Sequence, residues 1–294
     1  MASVTSNPAT APPIVARAAA PVIRIEPPRG WLNLRLKELW DYRELLYFFV
    51  WRDVKIRYKQ TAIGVMWVIL QPLLTMLVFT LFFGKLAKLP SQGLPYQVFY
   101  FAAVVPWMYF SFSLVNATNI VVENQRVITK VFFPRLILPF SAVLSGLVDF
   151  SIGFVVLLIF TLAYGIRPGV TALLLPLFLL LAILTALGMG LWLSALNALY
   201  RDVKYLIPFL TQFWMLASPV AYPSSMVKER YPHLYWLYGL NPIAGVVEGF
   251  RWALTGHGQA PDTVLIASSA MVLLMVFGGL IFFNRMEGSI ADRV

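Results

Sequence analysis

The chain has 294 residues, 60% hydrophobic and only 12% charged, with a mean hydropathy of +0.76. Soluble domains carry about 25% charged residues, so the composition excludes an ordinary water-soluble fold, and the lack of cysteine excludes disulfides, thiolate metal sites and a cysteine nucleophile. The net charge of +10 sits on basic residues that flank apolar stretches, which points to membrane topology and anionic lipid rather than nucleic acid.

Residues 1–30 hold six prolines and seven alanines and lack apolar periodicity, which predicts a disordered tail. Arg17, Pro21 and Arg24 break its one apolar stretch, so it makes a poor signal peptide. From Trp31 to Gln60 the chain becomes amphipathic. Tyr47, Trp51, Val54 and Tyr58 share one face of a helix, and Arg52, Lys55 and Lys59 fall on the adjoining strip. Such a helix suits the membrane interface, with its rings at headgroup depth and its cations reaching phosphates.

Six apolar spans follow: 62–83, 98–122, 139–164, 170–197, 205–222 and 263–283. Gln71-Pro72 predicts a kink in the first. The connection from Pro223 to Asp262 is too apolar for a solvated loop, yet Pro232, Gly239, Pro242 and Gly245 break it, which fits short helices dipping partly into the membrane. The expected fold is therefore all-α and integral to the membrane. Six spans place both termini on one side, which collects 17 Lys and Arg against six on the other. That bias predicts cytoplasmic termini.

The inventory for chemistry is thin. His233 and His257 have no partners at metal-ligand spacing, there is no carboxylate pair beside a span, and no GxxxxGK[ST] loop occurs. No catalytic or metal residue is assigned, and energy for uphill transport would have to come from another polypeptide. Asp149 is the one ionisable residue deep in a span. It marks a functional site by default, or a packing carboxyl held by hydroxyls such as Ser145, with no basic partner in any span. Aromatic clusters that include Tyr100, Trp107, Tyr109 and Phe110, with Tyr222 beyond, fit an interfacial belt or a pathway along which sugars stack. In loop 123–138, Glu123, Arg126, Lys130 and Arg135 alternate with Val127, Ile128, Val131 and Phe132 ahead of Pro134. The pattern suits either a short amphipathic helix docking on a cytoplasmic partner or an ordinary loop with topogenic charge.

Five ordered motifs add a resemblance. The run from Trp51 to Trp67 (WRDVKIRYKQTAIGVMW) with Gln71-Pro72-Leu73, then Gly93–Tyr96 (GLPY), Ile128–Arg135 (ITKVFFPR), Tyr200–Val203 (YRDV), and Leu240–Pro242 (LNP) with Gly249–Arg251 (GFR), together resemble ABC-2 type permeases. They are most similar to the membrane subunits of bacterial polysaccharide exporters for O-antigen, capsule and teichoic acid. The resemblance implies six spans per chain, a homodimer in the bacterial inner membrane, and two copies of a cytoplasmic ATPase that uses ATP and magnesium, with no cofactor on this chain. It also implies that Glu123, Asn124, Gln125, Arg126, Lys130 and Arg135 belong to a coupling helix. Trp51, Arg52, Lys55, Arg57, Tyr58 and Lys59 then belong to a gate helix at the entrance for a polyprenyl-diphosphate-linked polysaccharide. The alternatives are export of a drug or free lipid, and, in a different class, a passive channel or a membrane enzyme.

Overall fold

The computed structural model describes residues 36–59, 64–200, 202–258, 260 and 262–293. The predicted tail, 1–30, lies outside the described residues. Among those described there is no strand, and the architecture is the expected all-α one.

A short helix α1 (Leu36–Asp41) leads into α2 (Arg43–Lys59). Then α3 (Gly64–Phe79) continues as a π-helical stretch, Thr80–Leu86. Pro72 sits inside α3, and the Thr75 hydroxyl donates to the neighbouring Gln71 carbonyl at 2.8 Å. Next come α4 (Tyr96–Glu123), a single-turn α5 (Gln125–Ile128) and α6 (Ile137–Ala163). A 3-10 turn, Val170–Leu174, opens α7 (Leu175–Leu199), and α8 spans Val203–Ala217. The broken connection forms α9 (Ser224–Arg230), a 3-10 turn at Pro232–Leu234, α10 (Tyr235–Leu240) and α11 (Ala244–Thr255). Finally α12 covers Thr263–Arg293.

Five of these helices are long and apolar enough to cross a bilayer: Met66–Leu86, Tyr96–Glu123, Ile137–Ala163, Val170–Leu199 and Thr263–Glu287. They bury very different shares of their apolar stretch, 78% for α4 against 17–33% for the other four. The chain therefore wraps α3, α6, α7, α8 and α11 around α4. The remaining helices leave large apolar side chains outward, among them Leu77, Phe82, Phe209, Phe213, Leu274 and Phe277. In water that surface would aggregate; in a bilayer it is solvated by lipid.

The fifth expected span, 205–222, is shorter than its apolar run: α8 has only 15 residues, about 22 Å. Its ends nevertheless match those of α4. Just before α8, Asn197 Nδ2 donates to the Thr118 carbonyl at 2.9 Å, near the Glu123 end, which we call inner. Just after it, Tyr96 at the opposite, outer end donates to the Ala221 carbonyl at 2.6 Å. The rise from Phe99 to Thr118 is about 28 Å, so Ser218–Ala221 complete the distance as unwound backbone. These four residues are buried, as bare carbonyls at that depth must be.

Arg251 satisfies the middle two, while the Val220 amide donates to the Ser218 carbonyl and Tyr96 to that of Ala221. Arg251 Nη2 donates to the carbonyls of Pro219 (2.6 Å) and Val220 (3.3 Å), and Nε donates to that of Phe99 (3.1 Å). The guanidinium lies 3.8 Å from the Phe99 ring centroid. Burial pushes its pKa down to about 10, so it stays charged near neutral pH. Arg251, one of the six basic residues counted on the outer side, is fully enclosed. Beside it, burial raises the Glu248 carboxyl, which accepts from the Ser224 amide at 2.6 Å and from the Ser224 hydroxyl.

The tightest helix pair is α7 with α12, which run parallel. A Cβ on Gly188 would lie 2.8 Å from the Val276 amide, and one on Gly279 would lie 2.6 Å from the Gly188 carbonyl. Small residues here let the backbones touch, which is how helices gain contact in lipid.

Two outcomes follow. Gly188→Leu should destabilise the detergent-solubilised protein by about 1–3 kcal/mol through overpacking, read as a lower thermal midpoint. Gly169→Ala, with open space around its Cβ, should leave that midpoint unchanged. Arg251→Met should lower it at least as far, because several buried carbonyls lose their donor at about 1–3 kcal/mol each, and Arg251→Lys should not restore it, since an ammonium lacks the fork.

Candidate functional site

Helix α2 packs along α6. Midway along it, Phe49 packs at a tilt against Phe133 (5.7 Å) and Arg52 Nη1 donates to Asn124 Oδ1 (2.9 Å), both at the inner end. Further on, Arg57 lies over Phe112 and reaches Asp149. Phe112 is twelve residues nearer the outer end than Asn124, about 18 Å along α4. So α2 climbs beside the bundle rather than lying flat against its inner end. Tyr47 and Trp51 of the expected aromatic face stay exposed, as a lipid-facing strip would be.

Asp149 does have a basic partner, contrary to expectation. Arg57 Nη1 donates to one carboxylate oxygen at 2.6 Å and the Tyr58 hydroxyl donates to the other. Ser145, the hydroxyl considered for it, donates instead to the Ala142 carbonyl. The partner comes from α2, outside the spans in which one was sought. Burial first, and then the adjacent carboxylate, raise the Tyr58 pKa, so the phenol remains a donor. Asp149 stands twelve residues into α6, about 18 Å from its inner terminus. A carboxyl group at that depth is accommodated because it is paired and hydrogen-bonded.

The pair forms part of the wall of a groove of about 900 Å³ between α2, α3, α4, α6 and α8, within the usual range of small-molecule sites. Trp67, Trp107, Tyr109, Phe112 and Phe150 supply aromatic surface, and Gln71 and Gln212 supply amides. Of the expected pathway aromatics, only Trp107 and Tyr109 reach it. Tyr100 is fully buried against Phe79, and Phe110 packs edge-on to Trp214. Tyr222 lies at the outer end, bonded to the Leu216 carbonyl and to Tyr238. Sequence reasoning missed Trp67, Phe112, Phe150 and both glutamines. The amides, each inside an otherwise charge-free run, were the available signal.

The four expected entrance cations separate. Arg57 alone lines the groove. Arg52 is engaged by Asp53 (2.8 Å) and Asn124, Lys55 lies over Trp51 (4.1 Å), and Lys59 is exposed at the end of α2.

The inner loop also divides. Its helix is a single turn, shorter than the segment expected to end at Pro134. Asn124 is buried, donating to the Ile120 carbonyl while receiving Arg52. Arg135 is tied to α12 through Glu287. Arg126, Lys130, Val131 and Phe132 remain exposed with Glu123, and Gln125 is half-buried. Among the described residues there is no group of three or more His, Cys, Asp or Glu able to hold a metal.

The chain is similar in sequence to known export permeases and transport proteins. The chain is 28% identical over 259 residues to the O-antigen export system permease protein RfbA of Myxococcus xanthus, covering 88% of this chain and 98% of that one. It is 25% identical over 250 residues to the RfbA permease of Klebsiella pneumoniae, covering 85% and 94%. It is 24% identical over 243 residues to the polysialic acid transport protein KpsM of Escherichia coli, covering 80% and 91%. The family model of the ABC-2 type transporter matches residues 44–255, a stretch that includes α2, the groove and the Arg251 clamp, and the chain belongs to that family.

Proposed function

We propose that this chain is the membrane subunit of an ATP-driven exporter that carries a polyprenyl-diphosphate-linked polysaccharide of O-antigen type outward across the bacterial inner membrane. The observation that carries this assignment is the groove: aromatic and amide side chains with one cation, Arg57, inside a bundle of the ABC-2 type transporter family. Rings offer flat faces to sugar C–H groups, amides exchange hydrogen bonds with hydroxyls, and a guanidinium matches phosphate oxygens. Relatives over most of their length are named for O-antigen export and for polysialic acid transport. The second of these names keeps capsule-like glycans as the nearest alternative.

In this assignment the chain crosses the membrane six times, with α8 and its unwound extension as the fifth crossing and both termini in the cytoplasm. It acts as a homodimer and hydrolyses no nucleotide itself. Two copies of a cytoplasmic ATPase bind ATP and magnesium and press on the exposed inner-loop surface of Arg126, Lys130, Val131 and Phe132. The push would pass along α4 and α6, which flank that loop, to the groove between them.

Deleting the gene should abolish a surface glycan on immunoblots while its lipid-linked form accumulates inside; an unchanged surface glycan would refute the assignment. Which glycan disappears distinguishes O-antigen from capsule or teichoic acid. The double variant Arg126→Glu with Lys130→Glu should insert at wild-type levels yet lower export more than about tenfold, since reversed charge at a docking surface costs several kcal/mol. Wild-type export in that variant would remove the coupling role.

A further inference from the structure

The Arg57–Asp149 pair lies in the wall of the groove. Arg57 and Asp149 are 25% and 20% exposed, and both line the groove, so a ligand there can reach both. Arg57 is the only lysine or arginine among the lining residues, and Asp149 the only carboxylate. An anion that enters meets a guanidinium already occupied by a carboxylate.

We propose that Asp149 is an internal stand-in for the phosphoryl anion of the substrate. With the groove empty, it holds Arg57 and the Tyr58 hydroxyl. The diphosphate of a lipid-linked substrate displaces it and takes over those donors. This rests on the exporter assignment above and adds to it the group that the diphosphate must replace.

Three features support the exchange. The donors are those a phosphate would use: a guanidinium fork and a phenol that keeps its proton. An unpaired guanidinium in so apolar a wall would be costly, so the resting protein needs a counter-charge. That counter-charge also limits how tightly the diphosphate binds, and a transport pathway must let its cargo leave. The displaced carboxylate, left beside a like charge, favours release. The exchange also has a mechanical result. The pair joins the last turn of α2 to α6, whereas Arg52 with Asn124 and Phe49 with Phe133 hold its middle. Arrival of the diphosphate therefore loosens the last turn of α2 from α6 while its middle stays anchored.

The test uses the full-length chain in lipid nanodiscs, with farnesyl diphosphate and farnesol as probes and tryptophan fluorescence as readout, since Trp67 and Trp107 line the groove. Asp149→Asn should bind farnesyl diphosphate at least about tenfold more tightly than wild type, as removal of a close competing charge implies. Arg57→Gln should bind it no better than farnesol, and farnesol affinity should be equal in all three proteins. Equal or weaker diphosphate binding by Asp149→Asn, with farnesol binding intact, overturns the exchange. Should that variant lose farnesol binding through misfolding, a spin-label pair in an otherwise unaltered chain decides. The chain has no cysteine, so Ile56→Cys and Ser151→Cys can be labelled without background. Farnesyl diphosphate, but not farnesol, should lengthen or broaden that distance, and an unchanged distance overturns the proposal. If gene deletion removes the surface glycan while the exchange tests fail, only the exchange falls. If deletion leaves the glycan intact and no protein binds the diphosphate, the exporter assignment falls with it.

Discussion

A polar group in hydrocarbon has no water to turn to, so it finds its partner inside the protein or costs several kcal/mol. The architecture follows from that constraint. Within the long helices, hydroxyls fold back on their own backbone: Thr118 onto Leu114, Thr161 onto Leu157 and Thr185 onto Leu181. Between helices, Asn197 reaches the Thr118 carbonyl. Where α8 stops short, Arg251 donates to the exposed carbonyls that follow. Where a carboxylate lies at depth, Arg57 and Tyr58 come to it. At each of these places the donor or acceptor is built beside the departure from a plain apolar helix, whereas the buried Tyr100 hydroxyl and Arg251 Nη1 find no hydrogen-bond partner among the described residues.

The two ends of the bundle meet the constraint differently. The outer end is closed by short helices folded against α4, α7 and α12, and their seating depends on small residues. A Cβ on Gly249 would fall 2.0 Å from the Phe178 ring, and one on Gly245 would fall 2.0 Å from Ser268 Oγ. The backbone of α11 can approach only because those side chains are missing. The inner end leaves an exposed turn of cations beside Val131 and Phe132, held at its base by Asn124 on one side and by Arg135 with Glu287 on the other. A surface anchored at both edges can transmit a push as a unit, whereas a mobile loop would absorb it.

The groove draws on both arrangements. Its aromatic wall belongs mainly to α3, α4 and α6, its carboxyl to α6, and its cation to α2, which enters from the inner end. A displacement of α2 relative to α6 therefore changes the electrostatics and the shape of the cavity together. Under the proposed exchange, an anionic lipid-linked glycan and the mechanical state of the inner end would be linked through these same two side chains.

Much of this was legible in the linear chain. The long charge-free runs, the breaks at Pro232, Gly239, Pro242 and Gly245, and the isolated carboxyl at Asp149 determined an all-α membrane protein with short outer helices and one intramembrane acid, because bilayer thickness and backbone desolvation act on local composition. Apolar length could not say where helix ends inside a run. The stretch 205–222 is charge-free throughout, yet the helix stops at Ala217, and Arg251, far along the chain, donates to the carbonyls of Pro219 and Val220 that follow. Nor could periodicity tell that Arg57 leaves the strip of Arg52, Lys55 and Lys59 to meet a partner 92 residues away. Spacing along one helix gives a side chain's direction, but not what stands opposite it. Tertiary structure decided that one of the expected entrance cations, Arg57, and a lone acid are one site, because a charge in an apolar interior must find its counter-charge wherever the fold brings one near.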